Sequence, residues 1–108
     1  MANITVTIPK STTPEAPLLL IYESFLKVLV GGSAIFPDRC INQVGVRILD
    51  QGRQIVPGEM GTWMIGNERE VPWHYPATLE GPPYRLHIQG YNFDPVFPHA
   101  ITFNLEFR

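Results

Sequence analysis

The sequence contains little charge and few lysines, and each shortage narrows the classes of protein to consider. Charged residues make up 17% of the 108 residues, and the formal net charge is −2. Domains that bind nucleic acid usually carry a strongly basic patch, so we expect no nucleic-acid partner. The lysines are Lys10 and Lys27, whereas arginine occurs six times. Because protein–protein interfaces deplete lysine and favour arginine, this balance indicates a surface that is covered by neighbours.

Cysteine and long hydrophobic runs are also scarce. The single cysteine, Cys40, allows no internal disulfide. The longest apolar stretch covers 13 residues, 18–30, and is interrupted by Glu23, Ser24 and Lys27. A membrane-spanning helix needs about 20 apolar residues, so we expect no membrane span. The N-terminal segment lacks a basic region followed by an apolar core, so we expect no secretion signal and folding in a reducing cytoplasm.

The sequence contains no recognisable catalytic or metal-binding motif. His74 and His87 lack the short spacing of a metal-ligand pair, and His99 is expected to order the entry to the last strand. No serine lies in a Gly-x-Ser-x-Gly elbow. Glu68 and Glu70 are close enough in sequence for a pair of catalytic carboxylates, but such pairs are more often a solvated strand end. We therefore expect no catalytic, metal or cofactor site and no enzyme.

Short segments with alternating apolar and polar residues dominate the chain. Ile4, Val6 and Ile8 alternate with threonines, and residues 101–107 alternate in the same way. Alternation also occurs at 44–49, 71–75 and 84–89, and shorter strand-like segments lie at 53–56 and 62–65. Seven or eight strands separated by turns at intervals of about 8–12 residues are typical of sandwiches and small barrels. The sequence predicts an all-β chain, a single antiparallel β-sandwich or jelly-roll-like domain over residues 1–108.

Residues 14–30 fit two structures. Thr13-Pro14-Glu15 resembles a helix start, and the apolar positions that follow fit one face of a short helix near 14–30. The competing interpretation is a pair of strands at 18–23 and 26–36, which the β-branched residues favour. Pro17 also favours strands, because it would remove an early hydrogen bond of the helix. We expect strands and keep the helix as the alternative.

The first 17 residues form a proline-rich segment that begins with a strand. As an extended N-terminal arm, residues 1–17 can add a strand to the sheet of a neighbouring subunit. They can equally pair within their own sheet. The two arrangements differ in whether the arm contributes to an oligomer, and the sequence favours neither.

Aromatic residues in or beside loops form the candidate contact surface. Rings at such positions can stack on sugars or insert into a partner protein. Trp73 also suits a core position on its strand. We therefore expect a homo-oligomeric structural protein, and the alternative is a carbohydrate-binding module whose exposed aromatics contact glycans. The candidate residues are Trp63, Trp73, Tyr91, Phe93 and Phe97.

Several short motifs lie at the turns and strand starts of this pattern. They are Phe36-Pro37, Val44-Gly45-Val46, Asp50-Gln51-Gly52-Arg53-Gln54, Pro82-Pro83-Tyr84, Tyr91-Asn92 and His99-Ala100-Ile101-Thr102. Over its whole length the chain resembles the small all-β accessory proteins of bacteriophage virions, the decoration, head-fibre and vertex-type proteins. This resemblance implies a virion component that is assembled in the host cytoplasm and has no catalysis and no cofactor. It also implies a homo-oligomer that binds other capsid or particle proteins.

Overall fold

The computed structural model describes residues 2–108, and this part of the chain contains ten strands and no helix. All strand pairs are antiparallel, which confirms the predicted antiparallel all-β class. The strands are β1 (Ala2–Ile8), β2 (Leu18–Ser24), β3 (Val28–Phe36), β4 (Val44–Asp50), β5 (Arg53–Val56), β6 (Met64–Ile65), β7 (Arg69–Trp73), β8 (Ala77–Thr78), β9 (Tyr84–Asn92) and β10 (His99–Phe107).

The strands form two sheets. Sheet A has the order β1-β10-β3-β7, with β8 also paired to β3; sheet B has the order β2-β9-β4-β5, with β6 also paired to β4. The early strands pair with the late ones: β1 with β10, β2 with β9, β3 with β7 and β4 with β5. Successive pairs lie alternately in sheet A and sheet B. The chain is thus a long antiparallel ribbon wound between two sheets.

The core lies between the inner faces of the two sheets. Along β1, Val6 and Ile8 are buried while Thr5 and Thr7 are exposed, as the two-residue period of a strand requires. Ile8 from sheet A reaches Gly90 in sheet B so closely that a Cβ at position 90 would overlap its side chain. Burial of each large apolar side chain contributes about 1.5–3 kcal/mol. The largest fully buried ones are Phe36, Phe103, Ile8, Leu29, Ile48, Leu86, Ile88, Ile101 and Leu105.

The alternative helix near 14–30 is absent. Residues 18–24 form β2, residues 25–27 form a bend and residues 28–36 belong to β3. Leu20 of β2 is paired with Ile88 of β9, in a register that runs unbroken along the strand. A helix would forgo this ladder and the burial of Leu29 between the sheets. The pairing with distant strands therefore overrides the local helix propensity, which contributes only about a few tenths of a kcal/mol per residue.

The N-terminal arm pairs within its own chain. β1 pairs with β10 from Ala2 opposite Leu105 to Ile8 opposite His99. Beyond β1, the backbone N–H of Thr12 donates to the carbonyl oxygen of Asn92, with the two atoms 2.9 Å apart. Of the two arrangements left open by the sequence, the intramolecular one is present.

Candidate functional site

The five aromatic candidates occupy three different places. Trp63 and Phe93 each contact the ring of Tyr91 at the outer face of sheet B. Phe97 lies apart from them on the loop between β9 and β10 and is 56% exposed. Trp73 points inward from β7, and its ring fills the space above Gly32 in the core. With 6% of its surface exposed, Trp73 is not available to a partner.

Tyr91 is the centre of the outer aromatic cluster, which we define as Trp63, Tyr91 and Phe93. Its ring centroid lies 4.9 Å from that of Trp63 at 86°, and 4.9 Å from that of Phe93 at 51°. The ring covers Gly45, its pairing partner on β4, where a Cβ would overlap it. Edge-to-face aromatic pairs contribute about 0.5–1.5 kcal/mol beyond their buried area. The cluster therefore forms a small apolar layer outside the main core.

Arg47 and Gln89 extend this layer. The guanidinium carbon of Arg47 lies 4.1 Å from the ring centroid of Trp63, a cation–π geometry. Arg47 Nε donates a hydrogen bond of 2.8 Å to Gln89 Oε1, which holds the guanidinium in place. Tyr91 is only 5% exposed, and its burial raises the pKa of its hydroxyl. Tyr91 thus stabilises the cluster and has no free face for a sugar ring.

The loop between β9 and β10 presents exposed apolar side chains. Phe93, Val96 and Phe97 each have more than half of their surface exposed. The backbone N–H of Phe93 donates to the carbonyl oxygen of Gln43 at 3.0 Å, which ties this loop to the one between β3 and β4. That second loop carries the exposed Ile41. One end of the sandwich therefore displays apolar residues on loops that are connected by hydrogen bonds.

A buried polar network holds the β9–β10 loop in shape. Asp94 Oδ1 accepts hydrogen bonds from the backbone N–H groups of Val96, at 2.8 Å, and Phe97, at 3.1 Å. Asp94 Oδ2 lies 2.9 Å from Nε2 of His99. The N–H of Val96, the His99 side chain and the N–H of Phe97 together lower the pKa of the Asp94 carboxyl below its ordinary value. These contacts stabilise the ionised carboxylate and the tight loop around it.

Asn92 completes the network. Its Nδ2 donates to the carbonyl oxygens of Ile8, at 3.2 Å, and Phe97, at 3.0 Å, and its Oδ1 accepts the N–H of Asp94 at 2.9 Å. The sequence predicted that His99 orders the start of the last strand, but no local pattern identified Asp94 as its partner or Asn92 as a further member of the network. The Asn-x-Asp spacing could have indicated this network, because both residue types form local turns in which the side chain bonds to the backbone.

Sequence analysis also missed the exposure of β2 and the bend that follows it. Leu19 and Ile21 point outward and are 49% and 52% exposed. Phe25, at the tip of the bend, is 97% exposed, and Leu26 is exposed beside it. The signal in the sequence was the uninterrupted run of apolar residues from 18 to 22, because a strand with one solvated face normally alternates.

The polar candidates lie mainly on the outer face of sheet A. Ser33 Oγ donates a hydrogen bond to Glu70 Oε2, and Asn104 Nδ2 donates a long one of 3.4 Å to Ser33 Oγ. With His74, they line a shallow groove of about 260 Å³. Glu68 lies in the turn before β7, with a φ of 50°. In the range 2–108, no group of three or more His, Cys, Asp or Glu side chains is placed to hold a metal ion.

Comparison with known proteins provides no further constraint on the site. No protein-family model matches this chain, and no curated protein is significantly similar to it. No helix within residues 2–108 has the length and hydrophobicity that a membrane crossing requires.

Proposed function

We propose that this protein is a non-enzymatic structural component of a virion, a capsid decoration or accessory protein that self-associates and binds a larger protein assembly. The observation that carries the proposal is the exposure of large apolar side chains on a domain with little surface charge. Phe25, Ile41, Phe93, Val96 and Phe97 each have more than half of their surface exposed. Monomeric proteins rarely leave extensive apolar surface uncovered, and its usual purpose is contact with a partner.

The order of the strands supports this proposal. Four antiparallel pairs that alternate between two sheets correspond to the winding of a jelly roll, the finer architecture that we assign to this chain. Jelly rolls occur in viral capsid proteins and in lectins. The same architecture serves several functions. The strand order is therefore consistent with a capsid role, whereas the exposed apolar residues are the main support for it.

The rigidity of the β9–β10 loop also supports a binding role. Asp94 and Asn92 fix the backbone on both sides of Phe97, so the exposed rings are held in position before a partner arrives. A preorganised surface loses less conformational entropy on association than a flexible one. Aromatic side chains at such a surface are typical anchors of protein interfaces.

The first test is the absolute mass of the protein in solution, measured by size-exclusion chromatography with light scattering over a wide concentration range. We expect a closed oligomer with a mass that is a small multiple of 12.2 kDa. The number of subunits in this oligomer is then the reference value with which variants of the apolar loops are compared. A protein that stays monomeric at every concentration and binds no capsid or other particle would contradict the proposal.

The alternative function, carbohydrate binding, rests on the exposed rings of Phe93 and Phe97. Either ring could stack on a sugar, whereas Arg47 already covers one face of Trp63. A glycan-binding screen distinguishes the two functions. Binding that is lost in Phe93→Ala or Phe97→Ala, with folding unchanged, would favour a carbohydrate-binding module over an assembly protein.

A further inference from the structure

Strand β2 forms an open edge of sheet B. Within residues 2–108 its only neighbouring strand is β9, with which it pairs from Leu18 opposite Gly90 to Ser24 opposite Tyr84, without a break in register. Its other side therefore presents unpaired backbone N–H and C=O groups. Proteins usually protect such an edge with lysine, proline, inward-pointing charges or a bulge. The sequence of 18–22, Leu-Leu-Leu-Ile-Tyr, contains none of these.

Both faces of β2 are apolar, which distinguishes it from β1, the corresponding edge strand of sheet A. Leu19 and Ile21 are exposed on the outer face, while the inward Leu20 is only half-buried. β1 lies at one edge of sheet A, and its outward residues are polar. There the Thr5 hydroxyl shares a hydrogen bond of 3.2 Å with the Thr102 hydroxyl. The outward face of β1 is thus suited to contact with solvent. β2 instead has apolar side chains on both faces, and no strand pairs with its open side.

We propose that the missing neighbour is β2 of a second copy, paired antiparallel about a two-fold axis at Leu20. This inference deepens the proposed self-association and rests on it. Antiparallel pairing satisfies the open backbone edge, and it joins the two copies of sheet B into one continuous sheet. Because a two-fold interface places the same surface on both sides, the strand must be complementary to itself. The sequence of β2 meets that requirement.

The register follows from the pattern of side chains. With Leu20 on the axis, Leu19 lies opposite the partner's Ile21, and Leu18 lies opposite the partner's Tyr22. Apolar residues then meet on both faces. Glu23 falls opposite the partner's Pro17, which has no N–H to donate, so the ladder ends there. An axis at Ile21 would instead place Leu19 opposite the partner's Glu23, beside a carboxylate whose counterion is Arg85 of its own chain, 3.8 Å away.

This register also accounts for Phe25. The ring is 97% exposed in the single chain, although burial of a phenylalanine is strongly favourable. Phe25 follows β2 and would fall opposite the partner's Glu15, beyond the paired segment and beside the partner's proline-rich arm. The dimer would therefore cover the most exposed aromatic residue of the molecule together with Leu19 and Ile21.

The first experiment compares matched lysine substitutions on the edge strands β2 and β1. Ile21→Lys places a charge at the centre of the proposed interface, whereas Thr5→Lys places one on β1. Light scattering measures the masses, and circular dichroism checks that each variant folds. We expect roughly 100-fold weaker dimerisation for Ile21→Lys, because the two-fold symmetry places two substituted residues in each interface. Thr5→Lys should behave like the unmodified protein.

A disulfide experiment then tests the register without disturbing the surface charge. Directly opposed antiparallel residues have Cα atoms about 4.5–5.5 Å apart, which a disulfide can span. Leu19 and its own symmetry copy would be roughly 8 Å apart, which is too far. We therefore expect an equimolar mixture of Leu19→Cys and Ile21→Cys to form a cross-linked dimer on oxidation, and each variant alone to form none. The native Cys40 is fully buried and does not compete.

The outcomes separate this inference from the proposed function. An oligomer that is unaffected by Ile21→Lys, or equally weakened by Thr5→Lys, overturns the β2 interface and leaves self-association intact. Cross-linking of Ile21→Cys with itself overturns the axis at Leu20. A protein that is monomeric at all concentrations contradicts the β2 dimer and self-association together. Dissociation by Ile21→Lys alone, combined with cross-linking only in the mixture, supports the dimer.

Discussion

The outer faces of the two sheets differ although their inner faces form one shared core. On sheet A, side-chain hydrogen bonds link Ser33 with Glu70 and Asn104, and separately Thr5 with Thr102, so this surface is compatible with water. On sheet B, the exposed side chains include Leu19, Ile21 and Ile65, and the aromatic cluster covers Gly45. The fold requires only the inner faces to be apolar. The apolar residues on the outer face of sheet B therefore either pack into a second apolar layer or contact a partner.

The largest effect should come from removal of the ring that builds the second layer. Tyr91 is as buried as a core residue although it points outward, so we expect Tyr91→Ala to cost about 3 kcal/mol of unfolding free energy, as for a core aromatic. Thr102→Ala, on the outer face of sheet A, should cost about 0.5 kcal/mol or less. Urea denaturation of both variants measures the difference. Equal costs would mean that the aromatic cluster adds nothing to stability.

The second prediction concerns the loop that joins sheet B to sheet A. The folded protein lowers the pKa of Asp94 below its ordinary value of 3.8, so the carboxylate stabilises the fold above that pH. The contribution is lost as the pH falls through the lowered pKa. Asp94→Asn should therefore lower the urea midpoint at pH 6, and its deficit relative to the unmodified protein should shrink below about pH 4. A deficit that is constant from pH 7 to pH 2 would contradict a role for the charge.

The smallest effect compares two arginines of sheet B. Arg47 lies over Trp63 and is bound to Gln89, so Arg47→Met should cost about 1 kcal/mol and alter the tryptophan fluorescence. Arg85 pairs with Glu23 at 3.8 Å, and both side chains are more than half exposed. Exposed pairs of this kind contribute about 0–1 kcal/mol. Arg85→Met should therefore be close to neutral, and a larger cost than for Arg47→Met would overturn the comparison.

Local patterns predicted the strands well, and they failed where a choice depended on distant residues. Residues 18–30 suited a helix or two strands until β9 and β10 supplied the pairing partners. Trp73 and Tyr91 were both candidates for an exposed surface, although Trp73 also suited a core position. The structure buries Trp73 in the core and covers Tyr91 with Trp63 and Phe93. No local pattern states which aromatic residues from separate segments will meet, because their contact depends on how the strands are ordered.

The sequence by itself determined that this chain forms antiparallel strands, because alternation and turns act over a few residues. The sequence also identified Phe93 and Phe97 as candidates for a contact surface, and both are exposed on a loop. Only the tertiary structure decided which strands are edges and which faces are outer. An unpaired β2 and the apolar outer face of sheet B result from strand order, a property of the whole chain. The residues that most need a partner could therefore be recognised only after both sheets were assembled.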